Sequence, residues 1–242
     1  MTPPVPDRPA LFLDFDGTLV EIADRPDGVV VAPSLHDLIE RAVARTDGAV
    51  AVVSGRPVKE IDRFLGIPIA AAGMHGLEFR RTPGGEIEHQ PAPPEMDTLR
   101  KRIADFPFMG SSGVVMEDKG AGLAVHYRAE PSRQEDVVAA MDRATEDLDT
   151  LHLIHGKMVV EAKRRGFDKG AAVRAFLERA PFAGRTPIFI GDDVTDEDGI
   201  RAANAAGGYG IKVGEGSTDA PHRLPDVAAV HAWLAALAGV PA

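Results

Sequence analysis

The sequence predicts an α/β protein with a Rossmann-like parallel sheet as its core and a smaller α+β module inserted into it. Three observations carry this. Short apolar runs alternate with amphipathic stretches at both ends of the chain, as in a parallel sheet covered by helices on both faces. The middle third changes to paired short strands with a helix before each pair. Acidic and glycine-bearing clusters stand just past the apolar runs, where open α/β sheets bind ligands.

Pro3 to Pro9 reads as an extended or disordered lead-in. Residues 10–15 form a short apolar run broken by Asp14, as in a strand buried on both faces. Residues 34–45 place Leu35, Leu38, Ile39, Ala42 and Val43 at helical spacing, with Ser34 in position to cap after Pro33. A strand at 49–53, a helix at 57–65 with Val58, Ile61, Phe64 and Leu65 inward, and a strand at 67–72 complete a β-α-β-α-β series. Gly84-Gly85 suggests a hairpin between short polar strands, and 91–94 a linker. A helix at 95–106 precedes an antiparallel pair at 114–117 and 122–128. A second helix at 132–148, with Val137, Val138, Met141 and Ala144 inward, precedes a pair at 151–154 and 158–162. The first pattern then returns: helix 168–180, strand 187–190, helix 196–204, strand 208–213 and helix 227–238. The expected division is a core of 1–91 with 166–242 and a module of 92–165, which suits 242 residues at roughly 100–200 per domain.

A net charge of −10 argues against a nucleic-acid partner, whose phosphates need Lys and Arg. It leaves room for a small anionic substrate, because a metal ion and a few local cations reverse the field inside a cleft. The absence of cysteine excludes disulfides, thiolate metal sites and a thiol nucleophile. The N-terminus lacks the apolar core of a signal peptide, and no apolar stretch reaches the ~20 residues that span a bilayer, so a cytoplasmic protein with no membrane partner is expected. Oligomeric state is left open, a monomer being compatible.

Four clusters carry chemistry. Asp14 and Asp16 follow the first strand, and two carboxylates at that spacing on a strand would point the same way and repel. A divalent cation with oxygen ligands relieves that repulsion, and Mg²⁺ also accepts phosphate oxygens. Gly17 lets the backbone turn close to a ligand, and Thr18 offers a hydroxyl to a neighbouring carboxylate. Ser54-Gly55-Arg56 follows the second strand and opens a helix, a cradle for phosphate that is also an ordinary cap. Lys169 stands at a helix start, where a cation opposes the dipole unless an anion joins it. Gly191-Asp192-Asp193-Val194-Thr195-Asp196-Glu197-Asp198 puts acids directly after a buried strand. A solvated helix N-terminus accounts for Asp196 to Asp198, but poorly for Asp192 and Asp193.

In order and strand-end placement, these four clusters resemble the four motifs of the haloacid dehalogenase-like superfamily. The resemblance implies an aspartyl-phosphate phosphatase: Asp14 as nucleophile, Asp16 as general acid/base, Ser54 and Lys169 holding phosphoryl oxygens. It implies Mg²⁺ held by Asp14, the Asp16 carbonyl and Asp192, with Asp193 supporting the outer shell and Asp196 orienting Lys169. The inserted module is similar to the cap of the superfamily's sugar phosphatases. Gly73-Met74-His75-Gly76-Leu77-Glu78, Glu117-Asp118-Lys119, His126-Tyr127-Arg128 and Val160-Glu161 resemble the trehalose-6-phosphate phosphatases in particular. That implies a sugar phosphate substrate, trehalose 6-phosphate, with Gly55, Arg56, His75, Glu117, Lys119 and Glu161 binding it. Exposed cross-strand ion pairs are the alternative for the cap residues. Phosphates of sucrose, glycosylglycerate or a hexose are the alternative substrates.

Overall fold

The computed structural model describes residues 2–23, 28–110, 113–118, 120, 122–156 and 158–239. In chain order the elements begin with β1 (Pro9–Leu13), α1 (Pro33–Arg45), β2 (Val50–Val53), α2 (Val58–Leu65), β3 (Ala70–Gly73), β4 (Glu78–Arg80) and β5 (Glu88–His89). Then come α3 (Glu95–Ala104), β6 (Val115–Asp118), β7 (Gly122–His126), α4 (Gln134–Thr145), β8 (Leu151–Gly156) and β9 (Val159–Arg164). The last are α5 (Lys169–Leu177), β10 (Thr186–Gly191), α6 (Glu197–Ala205), β11 (Tyr209–Val213), β12 (His222–Leu224) and α7 (Val227–Leu237). They divide into two compact units, Met1–His89 with Asp168–Ala242, and Gln90–Phe167.

The first unit is an eight-stranded sheet in the order β12-β11-β10-β1-β2-β3-β4-β5. Strands β12 to β3 are parallel, and β4 and β5 add an antiparallel edge. β1 lies inside the sheet, and the pleat divides its side chains. Leu11 and Leu13 join Val50, Val52, Ile188, Ile190 and Ile211 in one core, closed by Leu35 and Ile39 of α1, Ile61 of α2 and Trp233 of α7. Ala10 and Phe12 join Ala51, Val53 and Phe189 in the other, closed by Val173 and Phe176 of α5 and Ile200 of α6. Burial on both faces is why these strands read as unbroken apolar runs.

The second unit is a four-stranded antiparallel sheet in the order β6-β7-β9-β8. Leu123, Val125, Val160 and Ala162 pack against Met96, Leu99 and Ile103 of α3 and Val137 and Met141 of α4. The other sheet face carries a cross-strand row of Glu117, Ala124, Glu161 and Ile154.

Several details differ from expectation. α1 starts at Pro33 with Ala32 as its cap residue and no side-chain cap, so Ser34 does not cap it. Proline suits the first helical position because that N–H has no intrahelical partner. Residues 131–133 form a 3₁₀ turn before α4, and β12 was not foreseen in so short a segment. Part of the lead-in is pinned, since the buried Trp233 indole needs an acceptor and donates to the Pro3 carbonyl at 2.9 Å. No helix among the described residues is long and apolar enough to cross a membrane.

The antiparallel strand β4 is fastened by Arg80, buried at 3% exposure. Its guanidinium grips Asp62 of α2 through two bonds of 2.6 and 2.5 Å and also donates to the Ile69 carbonyl. Asp62→Ala leaves that cation buried without its carboxylate, which costs about 3 kcal/mol. Urea unfolding of the variant should show a loss of that order; a loss no larger than that of a surface substitution would contradict it.

Candidate active site

Parallel register gathers the site. Leu13 lies beside Val52 on one side and Ile190 on the other, so Asp14, Ser54 and Asp192 each stand one residue past the carboxyl ends of adjacent strands. The ladder continues to Asp14, whose N–H donates to the Ile190 carbonyl at 2.9 Å. Beyond it the strand ends, and residues 15–20 form a tight turn in which the Gly17 N–H donates to the Val20 carbonyl.

That turn separates Asp14 and Asp16. They meet different partners, because the strand pattern does not carry through to Asp16. The buried Asp14 carboxylate accepts from Lys169 Nζ at 2.7 Å. Asp16 accepts from Arg56 Nε and Nη2 at 2.6 and 2.7 Å. Arg56 in turn donates to Glu60 at 3.2 Å and stacks over Phe64 at 5.0 Å from the ring centroid.

Lys169 opens α5 behind Asp168, whose side chain caps the helix by accepting from the Ala171 N–H at 2.6 Å. Its ammonium also donates to Asp196 at 2.5 Å, so two buried carboxylates answer the unfavourable helix position. Burial opposes the Lys169 charge, but attraction to Asp14 and Asp196 outweighs it and holds its pKa above the ordinary lysine value. Burial pushes the Asp14 carboxyl up, against the pull of Lys169. Asp192 is pushed up to about 6, first by burial and then by the charges of Asp196 and Asp193.

Carboxylate oxygens of Asp14, Asp192 and Asp196 lie within 4.8 Å of one another. Three acids around one ammonium leave negative charge uncompensated, and this adds to burial in raising the Asp14 and Asp192 carboxyls. The donor set is all oxygen, so the cluster fits a hard divalent cation. Thr18 is buried with its hydroxyl 3.5 Å from Asp192 Oδ1, a long contact. Asp193 does not join the cluster of carboxylate oxygens. Its side chain accepts from the Val194 N–H at 2.7 Å, and its own N–H donates to Asp196 Oδ2 at 2.9 Å.

Ser54 is buried, and its hydroxyl accepts from the Arg56 N–H at 3.2 Å. The following segment braces it: His75 N–H donates to the Ser54 carbonyl and Met74 N–H to the Arg56 carbonyl, both at 3.0 Å. Met74 and His75 hold φ of 49° and 56°, left-handed values that cost a non-glycine residue about 1–2 kcal/mol each. The His75 ring occupies the space where a Cβ on Gly55 would stand, 2.8 Å from Nε2. The first unit thus brings together Asp14, Asp16, Thr18, Ser54, Gly55, Arg56, His75, Lys169, Asp192, Asp193 and Asp196. Glu117 and Glu161 belong to the second unit, where Glu117 pairs with His126 at 2.9 Å and Glu161 with Lys163 at 3.4 Å. Lys119 lies outside the described residues.

Two features escaped the sequence reading. The fork between Arg56 and Asp16 joins residues 40 positions apart that no local pattern links. Lys212 is buried in β11 and donates to the Asp192 backbone carbonyl. Its signal was present: it is the one charge in the strand Tyr209–Val213.

Residues 12–227 match the family model described as trehalose-phosphatase. The chain is 40% identical over 246 aligned positions to the trehalose-6-phosphate phosphatase of Escherichia coli strain K12, covering 97% of this chain and 90% of that protein. It is 40% identical over 236 positions to a probable trehalose-phosphate phosphatase of Sinorhizobium fredii, covering 96% and 88%. The solved C-terminal domain of the C. albicans trehalose-6-phosphate phosphatase shares the fold, with a TM-score of 0.80 at 19% identity over 98% of this chain and 94% of that one.

Gly17 has φ of +76°, and a Cβ there would meet the Asp192 carboxylate at 2.2–2.7 Å. Gly17→Ala therefore strains the turn by about 1–2 kcal/mol and displaces Asp192. Thermal unfolding should show that loss, and the crystal structure of the variant a shifted Asp192 side chain. Wild-type stability with Asp192 in place would contradict the packing described.

Proposed function

The chain belongs to the trehalose-phosphatase family, and from that premise we propose that it hydrolyses trehalose 6-phosphate to trehalose and phosphate through an aspartyl phosphate on Asp14. One observation carries the reading: the buried Asp14 carboxylate stands at the end of β1, paired to Lys169 at 2.7 Å and clustered with Asp192 and Asp196. A nucleophilic carboxylate beside a fixed cation, at the ligand edge of a parallel sheet, is suited to phosphoryl transfer. That chemistry asks for in-line placement and neutralisation of the equatorial oxygens.

In the proposed reaction an Asp14 oxygen attacks phosphorus while the bond from phosphorus to the sugar oxygen breaks. Asp16 gives its proton to that oxygen, and trehalose leaves. Water then attacks phosphorus, Asp16 takes the water's proton, and the bond to Asp14 breaks to release phosphate. Both Asp16 oxygens are held by Arg56, so Asp16 must leave the fork to exchange a proton with the sugar oxygen or with water. Lys169 and Ser54 hold phosphoryl oxygens, and Asp196 keeps Lys169 aimed at Asp14. Asp193 steadies Asp196 through its backbone N–H.

Mg²⁺ is the proposed cation, held by Asp14, Asp192 and the Asp16 carbonyl, with the Asp196 carboxylate close by. When bound, it supplies positive charge to the phosphoryl oxygens. Gly55, Arg56 and His75 are proposed for substrate binding from the first unit, and Glu117, Lys119 and Glu161 for sugar recognition from the second. Glu117 and Glu161 share a cross-strand row on the sheet face that its helices leave clear, where paired charges suit the hydroxyls of a disaccharide.

Phosphate release from trehalose 6-phosphate should be rapid with Mg²⁺ and fall to background with EDTA. Asp14→Asn should lose at least about 10³-fold in turnover, the order expected when a covalent nucleophile is removed, and should still bind the substrate. Equal release from glucose 6-phosphate would overturn the disaccharide assignment, and an active Asp14→Asn protein would overturn the nucleophile.

A further inference from the structure

We propose that Lys212 is a positioning residue that fixes the Asp192 backbone, and through it the cation site. The inference rests on the reading that Asp192 is a cation ligand.

β11 sends Ile211 and Val213 into one core of the sheet. Strand alternation therefore turns Gly210 and Lys212 to the other face. There Lys212 is paired in register with Gly191, the last residue of β10. It is only 4% exposed, although lysine is among the residues least often buried without a partner. Its ammonium donates to the Asp192 backbone carbonyl. It makes no salt bridge within hydrogen-bond reach of a carboxylate among the described residues, and the Asp192 carboxylate attracts it only from further off. Burying an ammonium whose hydrogen-bond partner is a neutral carbonyl is costly. The placement is therefore informative about what the ammonium does.

The carbonyl it grips belongs to the residue whose side chain joins Asp14 and Asp196. Asp192 is thereby constrained from two directions. Its carboxylate sits in the space that Gly17 leaves open, and its peptide group is held from β11. Gly191 adds a second constraint on the same peptide segment. A Cβ there would stand 2.3 Å from the Asp196 Cγ, so the strand end packs closely against the Asp196 side chain. Groups that hold a ligand from behind govern how tightly the metal is bound even though they never touch it.

Mg²⁺ binding to the full-length protein, measured by titration calorimetry alongside thermal unfolding, tests this. Lys212→Met keeps most of the buried stem but removes the donor and the charge, and should weaken Mg²⁺ binding about 10–100-fold. Lys212→Arg, which can still donate to the carbonyl, should recover most of that loss. The Mg²⁺ concentration for half-maximal phosphate release should rise in parallel for Lys212→Met, with turnover at saturating Mg²⁺ changed much less. A folded Lys212→Met protein that binds Mg²⁺ as tightly as the wild type, or more tightly, would overturn the inference while leaving the cation reading intact. Absence of saturable Mg²⁺ binding by the wild type would overturn both. Should Lys212→Met not fold, Lys212→Gln is measured in its place with the same two outcomes.

Discussion

Lys169 is shared between Asp14 and Asp196, and the rest of the site is arranged around that sharing. The three residues come from a strand end, a helix start and a 3₁₀ turn, 155 and 27 positions apart along the pairs. In a buried setting each charge needs its partner, because an unpaired ion there costs several kcal/mol. One ammonium cannot satisfy two carboxylates and the nearby Asp192 as well. The protein alone thus leaves a deficit of positive charge at the place where a phosphate would have to sit. A divalent cation would offset that deficit, and under the proposed function it would also answer the charge that a phosphoryl group brings.

The parallel sheet makes this arrangement possible. Its register sets Asp14, Ser54 and Asp192 at one edge, and its two cores hold that edge against the helices that deliver Lys169 and Asp196. Close contact is achieved by leaving side chains out. Gly17 makes room for Asp192, Gly55 for His75, and Gly191 for Asp196. The left-handed Met74 and His75 are the conformational cost of bracing Ser54 and Arg56 from the third strand.

Much of this was legible in the residues. The core strands announce themselves because burial on both faces admits only apolar side chains, and the acids after β1 and β10 stand out against those runs. Lys169 drew notice because a cation at a helix start requires an anion, and the structure supplies two. What could not be read were pairings between distant segments. Asp16 and Arg56 belong to separate turns, and only the folded backbone brings them together. The separate partners of Asp14 and Asp16 depended on where β1 stops, at Leu13 and not at residue 15. Ser34 satisfied a capping pattern that Pro33 pre-empted by entering the helix itself. Lys212 was visible as a charge in an apolar strand, but its target, a backbone carbonyl, carries no mark in the sequence.

The central claim is that Asp14 itself becomes phosphorylated. An acyl phosphate is reduced by borohydride to the alcohol, which converts an aspartyl phosphate to homoserine. Protein mixed with trehalose 6-phosphate and Mg²⁺, quenched into borohydride and mapped by peptide mass spectrometry, should carry homoserine at position 14 only when substrate is present. Substrate-dependent phosphate release with position 14 unmodified, or with the label on another carboxylate, would contradict the account.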